Sequence, residues 1–211
     1  MAVFDGVEIE LLGHDSFRIR GDGKVVYIDP WKLQGDQAPA DLIFITHDHA
    51  DHCSPDDVRR VRKDDTAIVT AAGCAEKLHG PVRVVRPGDR LTVRGVAVEV
   101  VPAYNINKFR SPGQPFHPKE AGHVGYVLTL AGKRVYHAGD TDVTPELSAV
   151  TADIALLPVC GKYVMTAEEA AEAAALIMPA VAIPMHYGVV AGSRSDAERF
   201  KELAPVRAEI C

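Results

Sequence analysis

The sequence predicts a mixed α/β fold in which blocks of strands alternate with helices. Short apolar runs recur along the chain between glycine, proline and aspartate residues, a pattern typical of strands and their turns. Helix-start signals lie between these runs: Pro55 follows Ser54, and Glu169 comes three residues after Thr166. At 211 residues the chain is long enough for one well-buried domain and short for two, so we expect a single domain over residues 1–211.

The first half of the chain contains more of the predicted strands than the second. We expect strands over residues 7–12, 17–20, 24–29, 42–46, 67–71, 82–85, 91–94 and 96–101. One helix begins at the Ser54 cap, and a second, short helix is predicted over residues 72–79.

The second half opens with the least regular stretch, residues 102–123, and a long loop of this kind is usually functional or mobile. Further strands are predicted over residues 124–130, 134–137, 153–158, 180–184 and 206–210. Three helices are expected, each from a capping signal: Thr144 before Pro145, Thr166 with Glu169, and Ser195 with Glu198.

The composition excludes several classes of protein. Hydrophobic residues make up 47% of the chain and charged residues 25%, as in ordinary globular proteins. The net charge of −6 argues against a nucleic-acid surface, and no apolar run reaches the length of a membrane span. The amino terminus lacks a basic region followed by an apolar core, and the four cysteines form no C-x-x-C pair. We therefore expect a cytoplasmic protein that binds neither membranes nor nucleic acid.

Residues 42–54 carry the strongest chemical signal. The apolar strand in this segment ends in three histidines and two aspartates within six positions, where α/β sheets place their ligands. His47 and His49 are two residues apart, so in extended backbone they project to the same side and can share one ion. Asp51 and His52 follow where the chain turns and can reach a second ion. Imidazole with carboxylate suits zinc, iron or manganese, so the pattern predicts a metal centre, against the alternative of a solvated loop.

The string from Thr46 to His52, Thr-His-Asp-His-Ala-Asp-His, resembles the metal-binding motif of the metallo-β-lactamase superfamily. The string Tyr-His-Ala-Gly-Asp-Thr that ends at Thr141 matches a later motif of the same superfamily. Gly-His-Asp-Ser-Phe from Gly13 and Met-His-Tyr-Gly from Met185 are similar to a branch of small hydrolases that includes ascorbate-6-phosphate lactonase. The resemblance implies a four-layer αββα sandwich with the site at one edge.

The resemblance also implies two divalent metal ions, with zinc as the first choice and manganese, nickel or iron as alternatives. One ion would be held by His47, His49 and Asp140, and the other by Asp51, His52, Asp140 and His186. Asp140 would therefore bridge the ions, and Gly139 before it permits the unusual backbone angle that this turn needs. A metal-bound hydroxide would then attack an ester, lactone or phosphoester of a small anionic substrate, with Asp51 able to accept a proton.

One position departs from the superfamily's pattern. A third histidine normally follows a strand in the context Pro-Ala-x-His, but this chain has Asn105 there, and an amide offers only a weak carbonyl oxygen. His117 is the candidate replacement ligand, with His123 behind it, and either could instead be a surface histidine.

Other residues are predicted to support the site. By resemblance Asp29 would orient a metal-bound imidazole, since such a ring usually donates its other N–H to a carboxylate. His14, in the turn after the first predicted strand, would line the mouth of the site. A plain turn aspartate and a turn histidine are the alternatives. Lys108, with Arg110 and Lys119, gives the irregular loop a positive lining for an anionic substrate, or simply a solvated basic face. Lys162 and Tyr163 follow a strand end on the same side and could bind substrate charge.

Three classes of function compete. A phosphodiesterase or nuclease of the same fold is the alternative within the hydrolases, and the acidic balance disfavours it. An iron-dependent oxidoreductase would be favoured if the weakened first site left only one ion. A non-catalytic metal binder is suggested by Asn105 and opposed by the otherwise intact ligand pattern. A homo-oligomer is left open by the sequence.

Overall fold

Residues 2–211 are described by a computed structural model, in which two seven-stranded sheets pack face to face. The first sheet holds its strands in chain order: β1 (Ala2–Phe4), β2 (Val7–Gly13), β3 (Ser16–Gly21), β4 (Lys24–Ile28), β5 (Ala40–Ile45), β6 (Arg62–Ala71) and β7 (Val82–Val85). The strands are antiparallel from β1 to β4 and parallel from β4 to β7. Helix α1 (Pro55–Val61) connects β5 to β6.

The second sheet repeats this arrangement of an antiparallel block and a parallel block. The second half of the chain contains β8 (Arg90–Val93), β9 (Val96–Pro102), a separate hairpin of β10 (Phe109–Ser111) and β11 (Gln114–Pro115), and then β12 (Val124–Leu130), β13 (Lys133–His137), β14 (Ile154–Pro158), β15 (Val181–Met185) and β16 (Arg207–Ala208). The pairs from β8 through β9 and β12 to β13 are antiparallel, and those from β13 to β16 are parallel. Helices α2 (Ala167–Ile177) and α3 (Arg194–Leu203) contact β14 and β15.

The continuous apolar run of β5 reflects burial on both faces of the strand. Leu42 and Phe44 belong to the large core between the sheets, whereas Ile43 and Ile45 belong to a second core that includes Val58 of α1. Alternation of side chains along the strand sends them to opposite faces, and each fully buried side chain contributes about 1.5–3 kcal/mol. The layers are therefore helix, sheet, sheet and helix, which confirms the predicted αββα sandwich.

Two of the predicted helices are wrong in type or length. Over residues 72–79 only a 3-10 turn, Ala72–Cys74, is formed. This turn packs closely against the histidine-rich loop, because a side chain at Gly73 would lie 3.1 Å from the Asp48 side chain. After Thr144 the chain likewise forms a short 3-10 helix, Pro145–Ala149, in place of the predicted α-helix.

Some boundaries also differ from those predicted. The capping box of α2, Thr166 with Glu169, is confirmed. Helix α3 begins earlier than predicted, because Ser193 is its N-cap, with Asp196 as the acidic partner, in place of Ser195 with Glu198. The irregular stretch contains the β10–β11 hairpin, which the sequence did not predict, and the final strand β16 has two residues instead of five. Strand β1 was also not predicted.

The carboxyl ends of β5, β13 and β15 meet at one edge of the sandwich, and backbone bonds tie the sheets together there. The Val124 N–H donates to Thr46 O at 3.1 Å, and the His186 N–H donates to His14 O at 3.1 Å. Gly139 has a φ of +64°, and a Cβ there would lie 2.7 Å from Val124 O, so only glycine fits this close approach. The predicted backbone angle at Gly139 is thus confirmed. None of the helices in residues 2–211 is long and apolar enough to cross a membrane.

Candidate metal centre

The first group of metal-ligand atoms comes from His47, His49 and His117. One ring nitrogen from each lies within 4.8 Å of the others, and His47 Nε2 is 3.1 Å from His49 Nδ1. His47 and His49 leave the end of β5, as their spacing predicts, whereas His117 arrives from the irregular stretch after β11. The structure therefore brings His117 close to the two histidines that follow β5.

Asn105 holds His117 in this position. Its side-chain oxygen accepts hydrogen bonds from the His117 backbone N–H at 2.8 Å and from His117 Nδ1 at 2.9 Å. Its amide group donates to Tyr163 O at 3.0 Å and to Asp142 Oδ1 at 3.2 Å. Because Nδ1 of His117 is used in this way, Nε2 is the nitrogen that faces the site.

A second group is formed by four buried side chains, one ligand atom of each lying within 4.8 Å of the others: His14, Asp15, His52 and His186. His52 is oriented from behind by Asp29, whose carboxylate accepts from Nδ1 at 2.8 Å. The same carboxylate accepts from the Thr46 N–H at 2.8 Å and the Thr46 hydroxyl at 2.6 Å, so it is fixed in place. This is the contact that was predicted for Asp29.

Asp140 lies between the two groups. Its Oδ2 is 3.1 Å from Nε2 of His117 and 3.2 Å from Nε2 of His186, and its Oδ1 is 3.5 Å from Nε2 of His52. Burial opposes the charge of this carboxylate, but the facing imidazoles outweigh burial and hold the Asp140 pKa well below its ordinary value. A single ionised carboxylate thus faces both groups of imidazoles.

The site fits divalent cations because several buried polar atoms face it without a partner. Within residues 2–211, both Asp15 oxygens, His52 Nε2 and Asp140 Oδ1 have no hydrogen-bond partner. Buried groups of this kind are rare unless an ion or water satisfies them. Burial lowers the His52 pKa, but Asp140 and Asp29 together raise it to about 10, which shows how strongly this position favours positive charge.

Asp51 is set apart from the deeper ligand atoms. Its side chain is 25% exposed, and its Oδ2 lies 3.2 Å from Nε2 of the buried His14. Burial opposes ionisation, but the hydrogen bond from His14 lowers the Asp51 pKa to about 2. Among residues 2–211, the groups of closely spaced ligand atoms do not include Asp51.

A cavity of about 350 Å³ opens above these groups. Its floor is lined by His49, Asp51, His117, Asp140 and His186, and its walls by Ala50, Phe116, Tyr163, Val190 and Arg110. The Phe116 and Tyr163 rings meet edge to face at 4.8 Å, and the Arg110 guanidinium lies 5.8 Å from the centre of the Phe116 ring. The cavity therefore has apolar walls, a basic group on one side and the metal-ligand atoms beneath.

Comparison with known proteins agrees with this geometry. A family model described as the beta-lactamase superfamily domain matches residues 8–186. A "UPF0173 metal-dependent hydrolase" from Thermoplasma acidophilum is 35% identical over 209 residues, covering 91% of this chain and 88% of the relative. The chain belongs to the beta-lactamase superfamily. Within that superfamily it is one of the UPF0173 metal-dependent hydrolases.

Solved structures place this superfamily member among proteins of the same fold. A crystal structure described as a metal-dependent hydrolase from Parabacteroides distasonis has a TM-score of 0.86 and 33% identity, covering 97% of this chain and 92% of that one. Igni18, described as a metallo hydrolase from Ignicoccus hospitalis, has a TM-score of 0.75 and 23% identity, covering 97% and 94%. The predicted superfamily, fold and enzyme class are confirmed, and the similarity to ascorbate-6-phosphate lactonase stays a prediction.

Of the predicted substrate contacts in this superfamily member, Arg110 and Tyr163 line the cavity. Lys108 lies elsewhere, because its Nζ is 2.6 Å from Glu169 Oε2 and 3.6 Å from Asp142 Oδ1. The Lys162 Nζ lies over the Tyr163 ring, 4.8 Å from its centre. Among the described residues, those that line the cavity do not include Lys162.

Sequence reasoning missed two residues of the superfamily site. Asp15 appeared only as part of a motif, and His137 was assigned no role. His137 Nε2 donates to Asp15 O at 2.9 Å, and its Nδ1 accepts from the Gly139 N–H at 3.2 Å. A histidine that ends a predicted strand, directly before a predicted site turn, was the available signal for His137, whereas Asp15 needed the fold.

Proposed function

We propose that this metal-dependent hydrolase holds two divalent ions, zinc first among them, and cleaves an ester, lactone or phosphoester of a small anionic substrate. The observation that carries the proposal is the position of Asp140, between two groups of imidazoles and at the floor of an apolar cavity. A shared carboxylate between two imidazole groups is the arrangement that suits a two-ion hydrolytic site.

In this proposal His47, His49 and His117 would hold the first ion, Asp51, His52 and His186 would hold the second, and Asp140 would be shared. Divalent ions held by these residues would supply Lewis-acid chemistry for hydrolysis at neutral pH. The protein's own part is orientation. Asn105 fixes the His117 ring and Asp29 fixes the His52 ring, so both Nε2 atoms face the site.

Asp51 would accept the proton that the attacking water gives up. It lines the cavity, and the hydrogen bond to His14 keeps its pKa at about 2 despite burial, so it is a carboxylate at neutral pH. His14 has 1% of its surface exposed, so it would hold the Asp51 carboxylate at a fixed place beside the reacting bond. The apolar walls of Phe116 and Tyr163 would limit the access of other water molecules.

Arg110 supports an anionic substrate. A cavity of about 350 Å³ is within the range for small-molecule sites, and Arg110 is the cationic residue in its lining. The neighbouring lysines of the same stretch are committed elsewhere, Lys108 to Glu169 and Lys119 to Glu146. Within the described part of the chain, Arg110 has no carboxylate partner, and a guanidinium above an aromatic wall suits a carboxylate or phosphate group.

The experiment uses the zinc- or manganese-loaded protein and three chromogenic probes: p-nitrophenyl acetate, p-nitrophenyl hydrogen succinate and bis(p-nitrophenyl) phosphate. We expect metal-dependent cleavage, with the anionic ester preferred over the neutral one. Arg110→Gln should lower kcat/KM for the succinate ester by about ten-fold or more, because a charge-assisted hydrogen bond is lost, and leave the acetate ester nearly unchanged.

Lys162→Gln is the matched control, because this exposed cation lies near the cavity without lining it. It should leave the ratio of the two esters unchanged. Preference for the phosphate diester would assign phosphoryl chemistry to the site. Failure to cleave any of the probes with added metal, or an equal effect of both substitutions, would contradict the proposal.

A further inference from the structure

Asp142 is a buried carboxylate to which the proposed function assigns no role. It follows the shared Asp140 by two residues, and 1% of its surface is exposed. Its hydrogen bonds come from the start of the irregular stretch. Oδ2 accepts from the backbone N–H groups of Ile106 at 2.7 Å and Asn107 at 2.9 Å, and Oδ1 accepts from the Asn105 side-chain amide at 3.2 Å. A buried carboxylate needs such donors, so Asp142 and this segment hold each other in place.

The backbone around Asp142 strengthens the same junction. The Asp142 N–H donates to Tyr104 O at 3.0 Å, and the Thr141 hydroxyl oxygen accepts from the Tyr104 N–H at 3.3 Å. The Lys108 Nζ lies 3.6 Å from Asp142 Oδ1 and adds a positive charge on that side. Residues 104–108 are therefore folded around one carboxylate, which attaches them to the turn that carries the shared aspartate.

Asn105 passes this constraint on to His117. Its amide group donates to Asp142 and to the backbone oxygen of Tyr163, and its oxygen accepts from the His117 backbone N–H. Carboxylates and backbone oxygens only accept, and a backbone N–H only donates, so the amide has one possible orientation. The oxygen that faces the His117 ring then accepts from Nδ1, and Nε2 is the nitrogen left for an ion, 3.1 Å from Asp140 Oδ2.

A path of contacts thus starts and ends at the same residue. It leads from Asp140 along the chain to Asp142, then through Asn105 to His117, and from His117 back to Asp140. Within the described residues, Asp142 belongs neither to the groups of closely spaced ligand atoms nor to the cavity lining. The second group is oriented separately, because the His52 ring is held by Asp29.

We propose that Asp142 is the positioning residue of the first ion. It sets the distance and orientation of His117 relative to the shared Asp140 and acts through Asn105, without contacting the ion or the substrate. This assignment rests on the proposed function, because it requires His117 to bind the first ion.

The test is Asp142→Asn, which replaces one carboxylate oxygen by an NH₂ group. That group must face either the Asn105 amide or the backbone N–H groups of Ile106 and Asn107, so donors oppose donors in both orientations. In a chelator competition with Zn²⁺, the affinity for the first ion should fall by about ten-fold or more, and the affinity for the second should be unchanged. His117→Ala, measured in parallel, identifies which ion is the first.

Asp153→Asn is the matched control. Asp153 also accepts from a backbone N–H, that of Arg134 at 2.8 Å, but it directly precedes β14 and so lies at the opposite end of this strand from the site. It should leave the affinity for both ions unchanged. Equal losses in Asp142→Asn and Asp153→Asn, or a loss of both ions in Asp142→Asn, would assign the effect to general loosening of the fold and overturn the proposal.

A double variant tests the path itself. Because Asp142 acts through Asn105, Asp142→Asn combined with Asn105→Ala should bind the first ion no more weakly than Asn105→Ala alone, whereas additive losses would contradict the path. If Asp142→Asn does not fold, Asp142→Ser, which is smaller and also lacks the carboxylate, replaces it with the same expected loss.

Failure of this proposal can be told apart from failure of the proposed function. If His117→Ala itself leaves Zn²⁺ binding unchanged, the ligand set of the proposed function is wrong. If His117→Ala weakens the first ion and Asp142→Asn does not, only the role of Asp142 is refuted.

Discussion

At the scale of single residues, the site depends on which histidine completes the first group. His117 and His123 are comparable candidates by sequence, and their rings lie 5.7 Å apart. Only His117 has its ring held by Asn105 and its Nε2 3.1 Å from Asp140. His117→Ala is therefore expected to weaken binding of the first ion by about 10–100-fold or more, because a ligand and its oriented ring are both lost. Chelator competition with Zn²⁺ measures this.

His123→Ala is the matched control for that substitution. His123 is also buried, but its nearest charged partner is Asp48, at 3.7 Å, and it is outside the closely spaced groups among residues 2–211. It should lower the affinity of the first ion much less than His117→Ala does, because the removed ring is not one of the closely spaced ligand groups. Equal losses in both variants would contradict the assignment of His117.

The residues that could be predicted from sequence are those whose chemistry is local. His47, His49 and His52 follow one strand, so their spacing alone brings them to one place. His117 could be proposed but not decided, because its position depends on the Asn105 contacts across 12 residues. Asp15 could not be predicted, because its burial against His52 results from the docking of two loops that are 37 residues apart in the chain.

At the scale of elements, the irregular stretch is attached to α2 through Lys108. Its Nζ contacts Glu169, and the Asn107 side chain donates to the same carboxylate at 2.7 Å. We expect Lys108→Met to lower the free energy of unfolding by about 1.5–3 kcal/mol, because a largely buried charged hydrogen bond is lost. Urea denaturation of the metal-loaded protein measures this.

Lys162→Met is the comparison for this prediction, because Lys162 has no ion pair among residues 2–211. Its effect on unfolding should stay within about 0.5 kcal/mol. Lys108→Met should also leave the preference for the anionic ester unchanged. If Lys108→Met lowered the preference for the anionic ester as much as Arg110→Gln does, Lys108 would instead be a substrate contact.

Helices could be predicted from the sequence where one capping signal stood alone. The Thr166–Glu169 box has no competitor nearby, and α2 begins there. Before α3, two serines each have an acidic residue three positions later, and packing selects Ser193 over Ser195. The β10–β11 hairpin has few apolar residues, and its pairing is short and interrupted, so periodicity did not identify it.

At the scale of the whole molecule, the site joins the two sheets. His47, His49 and His52 follow the first sheet, whereas Asp140 and His186 follow strands of the second. Ions bound between them would stabilise the folded state without favouring the unfolded one, by about 2.7 kcal/mol when the free ion is at 100 times its Kd. Removing metal with a chelator should therefore lower Tm, and adding Zn²⁺ back should restore it.

The pH dependence of that stabilisation follows from His52. In the metal-free protein burial lowers the His52 pKa, but Asp140 and Asp29 outweigh it and raise the pKa to about 10. The ordinary value is about 6.5, so the charged ring stabilises the metal-free fold fully below about pH 6.5, and this contribution disappears as pH rises through about 10. An ion needs the neutral ring and must displace this proton. The Tm difference between zinc-loaded and metal-free protein should therefore widen from pH 7 to pH 9. The control is thermal unfolding of samples with Ca²⁺ in place of Zn²⁺, because Ca²⁺ prefers oxygen ligands. A Tm difference between zinc-loaded and metal-free protein that narrows from pH 7 to pH 9 would contradict the charged state of His52.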